Sequence, residues 1–315
     1  MAMKTVVAND TPPMCHSATL TQVSDGRLLC VWYAGSYECA DDTELHGSYT
    51  DKHGNWEPPR PIMSFPGHAV GNPVLDANLS SHELTLYFVV ISGSGWTDSL
   101  LVCIKSSDDG KTWSTPVLVT PERGIMCRSR MLRMRNGTLL LPVYHERQWI
   151  PLVLKSRDDG LSWTMRGDTT MSGRAIQPTL TELSDGGVAM YMRTTAGNIF
   201  VSHSFNGGES WTAACTTPLP NPNSSISVIR MSQATLIMAY NPSSTTRNTL
   251  AIATSDDDGQ SWSAPHVIAT SKHGEYSYPT LFEDNKAKIH LVFTSNRVAI
   301  CHDILARVIS QTTRS

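Results

Sequence analysis

Apolar positions in this chain come in short bursts that recur at a nearly constant interval. Leu20, Leu75, Leu132, Leu180, Val228 and Leu281 each open an apolar strand, at spacings of 55, 57, 48, 48 and 53 residues. Twelve residues beyond each stands Trp32, Tyr87, Tyr144, Met192, Tyr240 or Phe293, so a bulky side chain returns in register. Between the two positions lie turn signals: Ser24-Asp25-Gly26, Arg135-Asn136-Gly137, Ser184-Asp185-Gly186 and the looser Glu283-Asp284-Asn285. Asp-Gly or Asn-Gly between alternating apolar runs predicts a β-hairpin. No window carries a sustained 3.6-residue stripe with caps, so long helices are not expected.

A second period lies beneath the first. Ser106-Ser107-Asp108-Asp109-Gly110-Lys111-Thr112-Trp113 recurs around Trp163, Trp211 and Trp262, and in worn form at Thr50 to Trp56. The five tryptophans are 57, 50, 48 and 51 residues apart, an interval that marks a propeller, solenoid or array. Each box reads as a hairpin turn. Its acid bonds backbone amides, its Gly supplies a positive φ, and its Trp folds back beneath the loop. Six hairpin-plus-box units predict an all-β, six-bladed β-propeller of four-stranded antiparallel blades forming one domain over residues 1–315. The sixth unit has no box after Arg297, so the N-terminal strand, within residues 1–10, is expected to complete the last blade.

Composition narrows the function. The net charge of −3 offers no field for nucleic acid or an anionic membrane, so a taste for acidic ligands must come from local arginines. Apolar runs no longer than about that of Leu84 to Ile91 fall far short of a membrane span. Met1 to Val7 carries no apolar core of a signal peptide, and seven cysteines without a CxxC pair suit a reducing compartment; a cytoplasmic location is expected. Cys15-His16 and Cys301-His302 match no zinc spacing, and no glycine-rich phosphate loop precedes a helix, so neither metal nor cofactor is expected.

Propellers bind ligands where their innermost strands converge. Three to five residues before the six strand openers stand His16, Asn72, Arg128 (with Arg130 nearby), Gln177, Asn223 or Ser224, and Tyr278. All are polar, which predicts a polar pocket at one mouth of the channel. The loops after the second strands add Glu38, Asp41 and Asp42 as candidate proton donors, then Arg193, Asn241 and Arg247. Burial raises a carboxyl pKa toward neutrality, as a proton donor requires, and a planar guanidinium suits a carboxylate ligand. Trp96 and Trp149, on long loops, are candidates to stack a sugar.

These residues bring a family into view. The Ser-x-Asp-x-Gly-x-Thr/Ser-Trp box resembles the Asp box of sialidases and related propellers, which implies a place on the outer rim, away from the active site. Gln177 to Arg193 resembles the sialidase segment that ends in an arginine of the substrate-carboxylate triad. Arg247-Asn248-Thr249-Leu250 resembles the segment of another triad arginine, and Tyr276-Ser277-Tyr278-Pro279 that of the tyrosine nucleophile. Glu38 to Asp42 falls where the family keeps its acid/base aspartate. Two departures stand out: His16 occupies the place of the first triad arginine, and Gln177 that of the glutamate that activates the tyrosine. The chain as a whole is similar to bacterial predicted neuraminidases with Asp boxes.

The resemblance implies an exo-acting glycosidase that removes a terminal acidic sugar, sialic acid or a related ulosonic acid. Arg193 and Arg247 would clamp the carboxylate, with Arg128 or Arg130 a third cation and Asn72, Asn223 and Asn241 lining the site. Tyr278 would stabilise or attack the anomeric carbon, His16 is the candidate for its base, and one of Glu38, Asp41 and Asp42 would protonate the leaving oxygen. The same residues also suit a uronate-specific lyase or a carbohydrate-binding propeller without turnover.

Overall fold

A computed structural model describes residues 5–9, 13–78, 81–167 and 175–305. Six antiparallel sheets follow one another around a ring, as the repeat predicts. Blade 1 runs outward through Met14–Gln22, Leu28–Gly35, Glu44–Tyr49 and Arg60–Met63. Blade 6 runs through Tyr276–Glu283, Ile289–Ser295 and Ala299–Ile304, and Thr5–Asn9 forms its fourth strand. The N-terminal segment thus closes the ring; residues 1–4 and 10 of the expected closing segment lie outside the described residues.

The second strands form the middle of each blade, which explains the bulky residue twelve positions on. Trp32, Tyr144, Met192, Tyr240 and Phe293 are at most 1% exposed, and Tyr87 only 4%. Each fills the gap between adjacent blades, where large rigid side chains remove the most apolar area from water.

The inner strands start earlier than their openers suggest. Met14–Gln22, Val70–Asn78, Ala175–Glu182 and Tyr276–Glu283 each begin five or six residues before the opener. Each then slips register: between His16 and Thr19, Gly71 and Val74, Ile176 and Thr179, and Ser277 and Thr280. At the slip a non-glycine residue takes positive φ: Ser17 (58°), Asn72 (49°), Gln177 (49°) and Tyr278 (54°). Such a bulge re-aims a side chain at a sheet end. The left-handed conformation costs roughly 1–2 kcal/mol per residue and persists only where surrounding contacts hold it.

Blade 3 departs from this plan. Its inner strand is broken into Ile125–Cys127 and Leu132–Arg133, so Leu132 resumes a strand rather than opening one. The break spans Arg128 to Met131.

Hydroxyls one residue before the openers stitch neighbouring blades together. Thr19, Thr179 and Ser227 accept the backbone N–H of Leu75, Val228 and Leu281 on the following blade, at 3.1, 3.3 and 3.1 Å. Thr280 donates to the Ala18 carbonyl at 2.8 Å, joining blade 6 to blade 1.

The boxes occupy the hairpins between third and fourth strands. Asp108 accepts the Thr112 N–H at 2.9 Å and its hydroxyl at 2.7 Å, while Ser106 Oγ accepts the Gly110 N–H at 2.8 Å. Asp158 and Asp257 repeat the pattern, and Asn206 stands in at the third box. Gly110, Gly160, Gly208 and Gly259 hold φ between 80° and 87°. The boxes touch turns that follow the inner strands, such as Asp109 on Ser24. They therefore lie at the ring face opposite the bulged strand ends.

Candidate functional site

Four bulged strand ends converge at one mouth of the channel. There Glu38, Asn72, Trp96, Tyr144, Glu146, Trp149, Gln177, Arg193 and Tyr278 line a cavity of ≈ 140 Å³, floored by Met126 and Ile176. Larger hollows exist, including one of ≈ 520 Å³ around Arg130, Glu182 and Glu283 at the far ends of the inner strands. Volume does not locate the chemistry; the smaller cavity holds the buried tyrosine–arginine pair, so the candidate site is placed there.

Tyr278 is the centre of that site. Its side chain is buried, and its phenolic oxygen accepts Arg193 Nη1 at 3.1 Å and Gln177 Nε2 at 3.4 Å. Burial alone raises a phenol pKa. Here Arg193, the Gln177 hydrogen bond and Arg247 outweigh it, and the phenol lies below its ordinary value. Gln177 Oε1 in turn accepts Arg193 Nη1 at 3.1 Å, which fixes the amide with its NH2 toward Tyr278 and toward the Tyr144 hydroxyl at 3.4 Å. Asn72 joins the same network through the Tyr144 hydroxyl (3.3 Å) and Ser17 Oγ (3.1 Å).

His16 is wholly buried beside this tyrosine, ring centroids 4.1 Å apart and planes tilted 54°. Nδ1 pairs with Thr294 Oγ1 at 3.0 Å, and Nε2 has no hydrogen-bond partner. Burial, then Arg297, Arg128, Arg247 and Arg193, hold its pKa well below the ordinary histidine value, so the ring is neutral at pH 7. The rings of His16 and Tyr278 pack against each other, and the hydroxyl's hydrogen-bond partners are Arg193 and Gln177.

The arginines form a chain around the mouth. Arg193 Nε donates to Asn223 Oδ1 at 2.7 Å, and Arg247 donates to the Asn223 carbonyl. Arg247 and Arg297 share Glu275, each at 3.4 Å, and Arg297 also pairs with Glu38. Sequence reasoning missed Arg297. It sits in the turn Asn296-Arg297, both residues at positive φ, three positions past the repeat register that pointed to Arg193. The Arg297 carbonyl accepts the Cys15 N–H at 2.8 Å, which ties this turn to the strand carrying His16.

Other expected site residues lie elsewhere. Asp41 and Asp42 are exposed; Asp42 accepts the Ser36 N–H at 3.0 Å and its hydroxyl, which lowers its pKa and pins the loop, the reverse of a poised acid. Arg128 crosses the channel under Tyr278, 5.1 Å from its ring centre, and donates to Thr280 and to the Pro279 carbonyl. It supports the tyrosine from below. Arg130, on the other side of the strand break, lies 4.7 Å over Phe282 and faces the far cavity, so it is no third cation at this mouth. Asn241 is fully buried and donates to the Thr249 and Tyr276 carbonyls, a role within the scaffold.

Glu146 was also missed. It follows the second strand of blade 3, Leu139–His145, and belongs to none of the motifs read from the sequence. The loop tryptophans Trp96 and Trp149 both reach the cavity, as expected for sugar-stacking candidates. Among the described residues, no group of three or more His, Cys, Asp and Glu is arranged to hold a metal ion.

A ring of six four-stranded blades with a buried tyrosine and three linked arginines at one mouth defines a sialidase-like propeller. The BNR repeat-like domain profile matches residues 26–291, and the chain belongs to that family. A sialidase of Bacteroides fragilis (strain YCH46) is 24% identical over 88% of this chain and 59% of its own length. The chain thus spans about three-fifths of that relative. Hadza microbial sialidase Hz136 superposes with a TM-score of 0.83 at 20% identity, over 96% of this chain and 68% of that one. The leech intramolecular trans-sialidase complexed with 2,7-anhydro-Neu5Ac gives 0.82 at 14% identity, over 99% and 71%. A Dyadobacter fermentans protein of unknown function gives 0.79 at 15%, over 96% and 97%. At these identities the structures share the fold.

Proposed function

We propose that this protein is an exo-acting glycosidase that releases a terminal acidic sugar, a sialic acid or related ulosonic acid, from a glycoconjugate. One observation carries the reading: the buried phenolic oxygen of Tyr278 faces two hydrogen-bond donors, Arg193 and Gln177. Two donors stabilise a phenolate, which is the nucleophilic form. A tyrosine suits an anomeric carbon that already bears a carboxylate, because the phenol approaches neutral and turns anionic only as Arg193 and Gln177 take up its charge, whereas a carboxylate nucleophile would meet repulsion from the start.

In this reading the sugar carboxylate lies against Arg193, Arg247 and Arg297, held apart and oriented by Asn223, Glu275 and Glu38. Arg297 supplies the third cation that the position of His16 lacks. Gln177 cannot take a proton, so it favours the phenolate by donation instead of abstraction. His16, neutral and with Nε2 unpartnered, receives the phenol proton through a water or a substrate hydroxyl. Trp96 and Trp149 bound the sugar's apolar face.

The same neutral histidine and activated tyrosine also favour β-elimination on a uronate, with Tyr278 taking the proton next to the carboxylate. A panel of sialyl, ulosonyl and uronyl glycosides, followed by reducing sugar and ultraviolet absorbance, separates the two. Sugar release from sialyl or ulosonyl members without new absorbance supports the glycosidase. Absorbance growth on uronides alone overturns it.

A further inference from the structure

Cleaving a glycosidic bond needs a proton for the leaving oxygen, and none of the three acids expected from the sequence is suited to supply it. Asp41 and Asp42 are exposed and outside the cavity. Glu38 lines the cavity but its carboxylate is tied to the Arg297 guanidinium, which holds it away from a leaving oxygen. Glu146 differs from all three. It lines the same cavity as Tyr278, Gln177 and Arg193, and among the described residues its carboxyl has no hydrogen-bond or ion-pair partner. Its backbone is fixed by an N–H bond of 2.8 Å to the Gly124 carbonyl.

Its place in the ring matters equally. Tyr278 belongs to blade 6 and Glu146 to blade 3, and in a six-bladed ring these face one another across the axis. A nucleophile and a proton donor must reach opposite sides of the anomeric carbon, and opposite blades provide that.

Resting on the glycosidase reading, we propose that Glu146 is the catalytic acid and base of this site. In the first step the Tyr278 oxygen bonds to the anomeric carbon as the carbon–leaving oxygen bond breaks. The bonding pair goes to the leaving oxygen, which takes the proton of the Glu146 carboxyl. In the second step water attacks the same carbon and gives a proton to the Glu146 carboxylate, and the bond to Tyr278 breaks. The environments of the two glutamates support the division of labour. Burial, reinforced by Glu38 and opposed by Arg193, raises the Glu146 pKa, whereas Glu38 is paired with a cation.

The test compares Glu146→Gln with wild type on aryl and alkyl α-ketosides of N-acetylneuraminic acid and of a deaminated nonulosonic acid. An aryl oxide leaves without protonation; an alkoxide does not. The variant is expected to lose about 10²–10⁴-fold in kcat/KM on the alkyl ketosides, but less than about tenfold on the aryl ones. The alkaline limb of its pH profile should also vanish, and Glu146→Asp should restore part of the alkyl activity. Equal losses on both leaving groups, or an unchanged alkaline limb, would overturn the role of Glu146 while leaving the glycosidase reading standing. Wild-type protein inert toward every ketoside would remove the glycosidase reading and this assignment with it. Binding of the free sugar acid to Glu146→Gln, measured calorimetrically, checks that the variant site is formed.

Discussion

Arg193 holds Nη1 3.1 Å from the phenolic oxygen of Tyr278, and through Nε it reaches Asn223 at 2.7 Å. One guanidinium from blade 4 thus joins Tyr278 of blade 6 to Asn223 at the start of blade 5. In the proposed reaction, activating the phenol and binding the ligand's charge would share this cation.

Tyr278→Phe removes the oxygen and little else. Turnover should fall at least ~10³-fold, while affinity for the free sugar acid changes less than about threefold, as for a group needed only in the transition state. Stopped kinetics beside calorimetry measures both, and an equal loss of binding would place Tyr278 in recognition alone.

Arg247→Ala should act on binding. A hydrogen bond to a charged partner contributes about 1.5–3 kcal/mol, so KM should rise roughly 10- to 100-fold with a smaller change in kcat. The increase should disappear for the methyl ester of the same sugar, which has no carboxylate to clamp.

Gln177→Glu replaces a donor to Tyr278 by an acceptor. The phenol should then titrate at higher pH than in wild type, readable from phenolate absorbance near 295 nm against Tyr278→Phe. A fall in the phenol pKa would show that the amide does not stabilise the phenolate.

Far from the site, Trp56 donates to His302 Nδ1 at 3.3 Å, leaving His302 Nε2 to donate to His290 Nδ1 at 3.0 Å and His290 Nε2 to Asp284 at 3.2 Å. This directed chain spans the junction of blades 1 and 6 and needs both rings neutral. Burial and the neighbouring His290 push His302 down to about 3, below the ordinary 6.5. The unfolded chain therefore binds the extra proton between those values, and stability falls as pH drops from 6.5 toward 3. The slope approaches about 1.4 kcal/mol per pH unit for this one group. Denaturant unfolding at pH 7.5, 6 and 5 should show it in wild type and show less of it in His302→Gln.

The boxes should govern stability, not turnover. A Cβ at Gly259, whose φ is 87°, would come within 2.0 Å of the Tyr191 hydroxyl oxygen. Gly259→Ala should lower Tm by several degrees, and Asp257→Ala should lower it as well, both with kcat/KM within about twofold of wild type.

Much of the ring was legible from the chain because repetition reports geometry. A bulky residue twelve positions after each opener has to be buried in the same way six times, and Asp-box hairpins close with bonds made inside eight residues. The polar set before the openers was legible for the same reason, which is how Gln177, Asn72 and Tyr278 were found. Thr19, Thr179, Ser227 and Thr280 carried a signal in four of the six repeats that went unread; their bonds run to neighbouring blades.

The amino-acid order by itself determined the number of blades, the closing strand and which face of each inner strand meets the channel, since all of these depend on local period and turn chemistry. Only the tertiary structure decided the partners at the mouth. Arg297 and Glu146 sit in loops outside the repeat register. Arg128 and Arg130, two residues apart, part company at a strand break. Which carboxyl is paired and which is left free depends on side chains from blades distant in the chain, and electrostatic and hydrogen-bonding partners are chosen by proximity in space.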